Sequence, residues 1–200
     1  MTDLFRLPDP PRAGAYRVLY VDPPWPERGG GKIKRGADKH YPLMKVSDIV
    51  AMFVTFGQWA APDAHLYAWA TNNYLPAAFK SIAAAGFRYI TIVTWVKDRP
   101  GLGQYYRGRT EHCLFAVRGR LAYRTRADGK RAQGRTVLYD APDLPDAFEA
   151  PVPTARGKRI HSRKPEAMRR FIEDVSGMGA NLEVFARIRV DGWDAWGNEV

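Results

Sequence analysis

Residues 17–25 read RVLYVDPPW, and this stretch decides the fold. It opens with an apolar run of β-branched and aromatic residues, which predicts a buried strand, and two prolines end that strand abruptly. In open α/β sheets, ligands bind in the crevice beyond the carboxyl ends of the strands. The stretch therefore predicts a sheet that places the carboxylate of Asp22, two proline carbonyls and the indole of Trp25 at a ligand-binding edge.

These groups suit a flat base that carries an exocyclic amino group. The amino nitrogen of adenine is a poor nucleophile because its lone pair is delocalised into the ring. Two acceptors, the Asp22 carboxylate and a backbone carbonyl, would stabilise the positive charge that grows as this nitrogen attacks a methyl sulfonium. Pro23 and Pro24 have no N–H that competes for the carboxylate, and Trp25 offers a stacking face. A proline-rich turn that only ends a strand explains the same residues equally well.

Length and composition predict one domain over residues 1–200, because 46% hydrophobic content is enough for a substantial core. No apolar stretch approaches the roughly 18 residues of a membrane span, and residues 1–6 lack the pattern of a secretory signal. The single cysteine, Cys113, excludes an internal disulfide framework and fits a reducing cytoplasm. The four histidines and this cysteine lack zinc-ligand spacing, so we expect no metal.

The formal net charge is +10 at pH 7, and the basic residues cluster in the stretches 32–39, 99–135 and 156–164. Basic loops are typical of proteins that bind nucleic acid. An arginine-rich surface without such a partner is the alternative. The residues predicted to contact phosphates are Lys32, Lys34, Arg35, Lys39, Arg107 and Arg109.

Apolar periodicity predicts strands that alternate with helices, which indicates an α/β fold with a mostly parallel sheet covered by helices on both faces. The predicted strands are 17–21, 64–70, 89–96, 111–117, which we expect to be antiparallel to 89–96, and 181–186, with a short candidate at 136–139. The predicted helices are 48–60, capped by Ser47, then 75–85, and 164–175, begun by Pro165. The rest is predicted to be an irregular arm (1–16), a polar loop (26–42), an extended and partly flexible excursion (118–162) and a tail (192–200).

Six motifs, in this order, resemble the MT-A70 family of adenine methyltransferases: DPPW (22–25), HYPLM (40–44), TEHCLFAVRG (110–119), HSRKP (161–165), LEVFAR (182–187) and GWDAWGNE (192–199). The resemblance runs from about residue 17 to the C-terminus. It implies a Rossmann-like fold that binds S-adenosylmethionine (SAM), with the motifs in circularly permuted order. The catalytic strand comes first, and the strand that opens an unpermuted methyltransferase comes near the end.

The resemblance also implies roles for individual residues. By this resemblance, Asp22 is the catalytic residue and also lies beside the cofactor. Pro23, Pro24 and Trp25 hold the target adenine. The cofactor contacts carried over are Lys164, for the methionine carboxylate, and Glu183, Arg187, Asn198 and Glu199. We expect Trp193 and Trp196 to pack in the core, and Glu111, His112 and Cys113 to support the sheet. Asn72 and Asn73 suit either a turn or a substrate contact.

The sequence therefore predicts a SAM-dependent methyltransferase that acts on the 6-amino group of adenine. About sixteen residues precede the resemblance, whereas the family's RNA-methylating members carry long regions there, which favours DNA. Two alternatives stay open: an RNA adenine methyltransferase with the same site, and a catalytically inactive nucleic-acid-binding subunit, against which the presence of Asp22 argues. Because a base inside a duplex is inaccessible, the target must be flipped out or single-stranded.

Overall fold

The computed structural model describes residues 11–27, 43–101, 105–120, 124–139, 148–159, 163–177 and 179–200. Lys32, Lys34, Arg35 and Lys39, which are predicted to contact phosphates, lie outside these residues, as do most of the predicted arm and polar loop. None of the helices in the described part of the chain is long and apolar enough to cross a membrane.

Ten strands and three helices are described, and each strand predicted from periodicity is among them. The strands are β1 (Tyr16–Val21), β2 (Ala60–Ala70), β3 (Arg88–Val96), β4 (Thr110–Arg118), β5 (Val137–Tyr139), β6 (Phe148–Glu149), β7 (Thr154–Ala155), β8 (Lys158–Arg159), β9 (Asn181–Val184) and β10 (Asp194–Trp196). The helices are α1 (Val46–Trp59), α2 (Leu75–Ala84) and α3 (Ala167–Ser176). A short 3-10 helix, Asn72–Tyr74, connects β2 to α2.

Eight of these strands form one sheet in the order β10-β9-β1-β2-β4-β3-β5-β6. The β4 strand is antiparallel to both of its neighbours, and the other paired strands of this sheet are parallel. This confirms the mostly parallel sheet and the antiparallel fourth strand. The segments that follow β1, β2, β3 and β9, and the segment that precedes β4, therefore meet at one edge of the sheet, where ligands bind in such folds.

Alternating side chains place the two faces of the sheet in separate cores. Leu66 and Ala68 of β2 pack with α1 and α2 on one face. Tyr67 and Trp69 of the same strand pack with α3 on the other face. Helices on both faces are thus confirmed, and so are the core positions of Trp193 and Trp196, which are 6% and 5% exposed.

Two short strands of the main sheet, β6 and β10, are additions to the prediction for the last third of the chain, and the short candidate strand 136–139 is confirmed as β5. The excursion 118–162 contributes β5 and β6 to the main sheet, where Leu138 is fully buried and the Trp95 indole donates a hydrogen bond of 2.8 Å to the Ala150 carbonyl. The predicted tail contributes β10, which pairs with β9. Strands as short as β6 and β10 show no period, so only their pairing with neighbouring strands reveals them.

Two helix starts also differ from the prediction. Helix α1 begins at Val46, before Ser47, whose hydroxyl donates to the Asp48 carboxylate (3.1 Å) rather than capping the backbone. Helix α3 begins at Ala167 instead of residue 164, after a turn in which the Pro165 carbonyl accepts from the Met168 amide (3.0 Å). This turn leaves Lys164 outside the helix.

Candidate active site

Asp22 follows β1 directly, in the middle of the parallel edge, because β1 lies between β9 and β2 in the sheet. Its side chain is 23% exposed and accepts a hydrogen bond of 2.8 Å from the ammonium group of Lys164. Lys164 is 12% exposed, and its ammonium group also lies 5.5 Å from the centre of the Trp69 ring. The structure thus joins the predicted catalytic carboxylate to the predicted cofactor lysine.

Glu111 extends this ion pair into a chain of four charges. Its carboxylate lies 3.3 Å from the Lys164 ammonium group and also bonds to Lys97. Glu111, which is expected to support the sheet, thus also contacts the predicted cofactor lysine. Because β4 runs antiparallel to its neighbours, its first residues lie at the edge where the parallel strands end, so Glu111 reaches the same place as Asp22. The antiparallel direction predicted for this strand therefore already implied that Glu111 lies at the ligand-binding edge.

Burial and charge oppose each other at both carboxylates. Burial raises the pKa of Asp22 above its usual value, although the Lys164 ammonium group acts in the opposite direction. Burial alone would also raise the pKa of Glu111, but Lys164 and Lys97 together outweigh it and hold this pKa below its usual value. Burial thus dominates at Asp22, whereas the two lysines dominate at Glu111.

The DPPW turn is held by its own backbone and by core contacts. The Pro23 carbonyl accepts from the Trp25 amide (2.8 Å), and the Pro24 carbonyl accepts from the Met44 amide (3.2 Å). A carbonyl has two lone pairs, so each retains one for a further donor. The Trp25 ring is 4% exposed and stacks on Tyr74 at 5.4 Å, and its indole N–H donates to the Trp69 carbonyl (2.9 Å). Trp25 thus anchors the turn, and its contact with a base stays a prediction.

Further contacts attach the turn to the end of β2. The Tyr74 hydroxyl donates to the Pro26 carbonyl (2.7 Å), and the Thr71 hydroxyl donates to the Glu27 carboxylate. Asn72 faces β4, where its side-chain oxygen accepts from His112 Nε2 (2.7 Å). Burial lowers the pKa of His112, which favours the neutral imidazole. Asn72 thus lies in a turn and contacts His112, and its contact with a substrate stays a prediction.

The other predicted cofactor residues surround the end of β9. Glu183 is 8% exposed and pairs with Arg169 of α3 at 2.6 Å. Burial raises the pKa of Glu183, against the opposing charge of Arg169. Arg187 pairs with Glu199 at 3.1 Å, and Asn198 next to Glu199 is exposed. Arg187 also acts electrostatically on Asp22, which connects this group to the predicted catalytic carboxylate.

A tight backbone crossing brings these last residues together. Phe185, directly after β9, has a φ of +60°, a region that costs free energy for a residue with a side chain. A Cβ on Gly197 would lie 2.5 Å from the Ala186 carbonyl oxygen, so only glycine permits this approach. The crossing places Arg187 beside Glu199, and strained backbone of this kind often occurs at ligand sites.

Arg107 and Arg109 lie in the connection between β3 and β4, at the same edge. Arg109 donates to the carbonyls of Lys97 (2.9 Å) and Asp98 (3.1 Å), and Arg107 donates to the Gly101 carbonyl (3.2 Å). Both residues are exposed. Their contact with phosphates stays a prediction.

The residues at this edge fit SAM by their chemistry. The Lys164 ammonium group matches an amino-acid carboxylate, the carboxylates of Glu183 and Glu199 match hydroxyl groups, and Asn198 offers both a donor and an acceptor. Within the described ranges, the side chains of histidine, cysteine, aspartate and glutamate form no group of three or more that could hold a metal ion.

Comparison with known proteins places the chain among methyltransferases. The model of the MT-A70 family matches residues 16–199. The chain is 26% identical to the N6-methyladenosine RNA methyltransferase MTA1 of Cryphonectria parasitica over 199 residues, 94% of this chain and 52% of that protein. It is also 26% identical to the type II methyltransferase M.MunI of a Mycoplasma species over 205 residues, 92% of this chain and 78% of that protein. The chain thus spans about half the length of the first relative.

Proposed function

Since this chain belongs to the MT-A70 family of adenine N6-methyltransferases, we propose that it transfers a methyl group from SAM to the 6-amino nitrogen of adenine in DNA. The observation that carries the proposal is Asp22 itself: a mostly buried carboxylate that contacts the cofactor candidate Lys164, is affected by the charge of the second candidate Arg187, and lies in a turn fixed by Trp25. A carboxylate of this kind accepts hydrogen bonds from an amino group and stabilises developing positive charge.

In this mechanism, the protein supplies position and charge. SAM, when bound, supplies an electrophilic methyl group. Lys164, Glu183, Arg187, Asn198 and Glu199 would hold the cofactor. Asp22 and a proline carbonyl of the turn accept the two hydrogens of the adenine amino group, so its lone pair is directed away from them. Alignment of the reacting atoms and preorganised acceptors are the two largest contributions an active site can make to such a transfer.

Lys164 has a second task in this scheme. Asp22 must be ionised to offer both oxygens as acceptors and to stabilise positive charge, and burial works against ionisation. The ammonium group of Lys164 opposes that effect, while Glu111 and Asp22 together hold the lysine at the edge of the sheet. Lys164 thus keeps the acceptor charged in the free protein.

The similarity to the type II methyltransferase M.MunI, of which the chain covers 78%, supports DNA as the substrate. The net charge of +10 suits either polyanion. An RNA adenine methyltransferase with the same site is the second candidate, and the similarity to MTA1 supports it.

The test is methylation of matched DNA and RNA oligonucleotides by the purified protein, read by mass spectrometry of the digested nucleosides. We expect N6-methyladenine in DNA. Asp22→Ala should lower turnover by about 10²- to 10³-fold, because one transition-state acceptor is lost. SAM binding, measured by calorimetry, should stay within a few-fold. Asp174→Asn removes an exposed carboxylate on α3 and is the matched control, with unchanged turnover.

Each other outcome has a defined meaning. Methylation confined to RNA would replace DNA by RNA as the substrate. Nucleic-acid binding without methylation of either polymer would identify an inactive subunit. Near-normal turnover of Asp22→Ala would show that another group accepts the amino hydrogens and would overturn the mechanism.

A further inference from the structure

Two adjacent tyrosines are unlike the other large hydrophobic side chains of the described residues. Tyr105 and Tyr106 are 92% and 91% exposed, whereas the next in exposure, Val54, is 48% exposed. Burying an aromatic side chain is favourable, so a ligand that covers both exposed rings would gain binding free energy. Exposed aromatic surface surrounded by polar residues typically marks an interaction site.

The tyrosine pair lies at the edge of the sheet that carries Asp22. It belongs to the connection between β3 and β4, which begins at Lys97 and rejoins the sheet at Thr110, next to Glu111. Lys97 and Glu111 are both members of the charged chain that ends at Asp22. Tyr105 precedes Glu111 by six residues, so it lies at most about 20 Å from that residue along the chain. That distance corresponds to a few nucleotides beside the target base.

The base of the connection is ordered by its own hydrogen bonds. The Lys97 amide donates to the Arg109 carbonyl and the Gly101 amide donates to the Gly108 carbonyl, each at 2.8 Å. The Arg109 guanidinium group also donates to the carbonyls of Lys97 and Asp98, which follow β3. These bonds join the two described ends of the connection on either side of the tyrosine pair.

The charge around the tyrosine pair is positive. Residues 97–109 contain Lys97, Arg99, Arg107 and Arg109 against one carboxylate, Asp98. The Arg99 side chain is 81% exposed. An aromatic surface bordered by arginines matches a single-stranded nucleic acid, whose bases stack on aromatic rings while its phosphates meet cations. A second copy of this chain would fit this surface less well, because it carries the same net positive charge.

We propose that Tyr105 and Tyr106 form a stacking platform for unpaired nucleobases next to the target adenine. Arg99, Arg107 and Arg109 contact the neighbouring phosphates. The platform favours unpaired bases because the faces of paired bases are already covered by their neighbours in the duplex. This inference rests on the proposed function for its placement beside a target adenine, but it can be tested by binding alone.

The experiment uses the purified full chain and a short single-stranded DNA that carries the fluorescent base 2-aminopurine beside an adenine. Stacking on tyrosine quenches 2-aminopurine, and anisotropy across a salt series gives affinity and salt dependence. We expect the Tyr105→Ala/Tyr106→Ala variant to lose most of the quenching. Its affinity should fall by about 5- to 100-fold for each tyrosine that stacks. The salt slope should not change, because stacking releases no counterions.

Two further variants separate the aromatic rings from the hydroxyl groups and from the neighbouring charge. Tyr105→Phe/Tyr106→Phe keeps both rings and should retain the quenching and the affinity. Arg107→Gln should lower the salt slope by about one unit while the quenching persists. Loss of affinity in the double alanine variant should be smaller on the fully paired duplex of the same sequence than on the single strand.

Two outcomes would overturn the platform, and a third would separate it from the proposed function. Affinity and quenching of the double alanine variant within twofold of wild type would do so, even if the protein methylates adenine, and the proposed function would then stand. A dimer in sedimentation that becomes a monomer on the double alanine substitution, with unchanged DNA affinity, would assign the surface to a second copy instead. Tyrosine-dependent quenching in a protein that methylates nothing would support the platform and refute the proposed function.

Discussion

Asp22 is the residue at which burial and a neighbouring charge act in opposite directions. Burial raises its pKa, and the Lys164 ammonium group at 2.8 Å limits that rise. Only the ionised form offers both oxygens as acceptors and carries the negative charge that stabilises a developing positive charge. The pH below which activity is lost, here called the acid limit, should therefore report the pKa of Asp22 in the free protein. Lys164 should determine the pH at which this limit lies.

Replacing Lys164 by methionine should move that limit toward higher pH. Without the ammonium group, burial acts unopposed, so the pKa of Asp22 rises further and the carboxylate is lost at a higher pH than in wild type. The pH profile of kcat/KM for SAM reports groups of the free enzyme and is the measurement to make. Lys164→Arg keeps the charge and should keep the acid limit. A limit at the same pH in the methionine variant would show that Lys164 does not control Asp22.

Lys164→Ala should also weaken SAM binding by about 1.5–3 kcal/mol, the contribution of a hydrogen bond to a charged group. Calorimetry on the free protein measures this without turnover. Lys80 is a suitable control, because it lies on the exposed surface of α2 and its alanine variant should bind SAM as wild type does. Unchanged affinity of Lys164→Ala would refute the role carried over from the family.

Glu111 should make the stability of the protein depend on pH in the acid range. Its pKa is lowered in the folded state, so its ionised form stabilises the fold above the unfolded value of about 4.3. That contribution is lost as the pH falls through the lower pKa of the folded state. The difference in unfolding free energy between wild type and Glu111→Gln should therefore be constant at neutral pH and shrink under acid conditions. Urea unfolding at a series of pH values measures it, and a difference that grows toward low pH would contradict the assignment.

At the scale of elements, Arg118 joins two helices to the sheet. It is the last residue of β4, and its guanidinium group donates to the carbonyls of Gly57 (2.6 Å), Gly86 (3.3 Å) and Ala85. These carbonyls lie at the C-terminal ends of α1 and α2, where the helix dipole favours a cation. A Cβ on Gly57 would lie 2.4 Å from the Ala85 carbonyl oxygen, so the two helix ends approach closely. The guanidinium group also covers the Phe87 ring at 4.5 Å.

Arg118→Met should lower the free energy of unfolding by about 1.5–3 kcal/mol, because the part-buried carbonyls of Gly57 and Ala85 lose charged donors. Methionine preserves much of the packing over Phe87, so the loss reports mainly the hydrogen bonds. Urea unfolding measures it, with Arg120→Met as the control, since Arg120 is exposed. Because the start of β4, and not its end at Arg118, lies at the candidate active site, SAM affinity should not change. Equal stability of the two variants would show that the hydrogen bonds of Arg118 contribute nothing to the free energy of unfolding.

At the scale of the whole molecule, the net charge of +10 should govern binding to nucleic acid. Neutralising Lys32, Lys34 and Arg35 together should reduce the salt slope of DNA binding by about two to three units, if all three contact phosphates. SAM affinity should be unaffected. Fluorescence anisotropy over a salt series measures the slope, and an unchanged slope would move the phosphate contacts to the stretch 99–135.

The sequence by itself determined the features that repeat over a few residues. The run 17–21 and the prolines after it defined β1 and its turn, and the 3.6-residue period of Met168, Phe171, Ile172 and Val175 defined the buried face of α3. Alternation in β2 separated the two cores. Such patterns are local, because the geometry of a strand or a helix fixes the period of its own side chains.

Only the tertiary structure decided which distant groups meet. Lys164 bonds to Asp22 across 142 residues of chain, and Glu111 joins them because β4 is inserted antiparallel between β2 and β3. Trp25 stacks on Tyr74, and the strands β6 and β10 are defined only by pairing with their neighbours. A local pattern carries no information on strand order or register, and these contacts depend on both, so they follow from packing of the whole sheet.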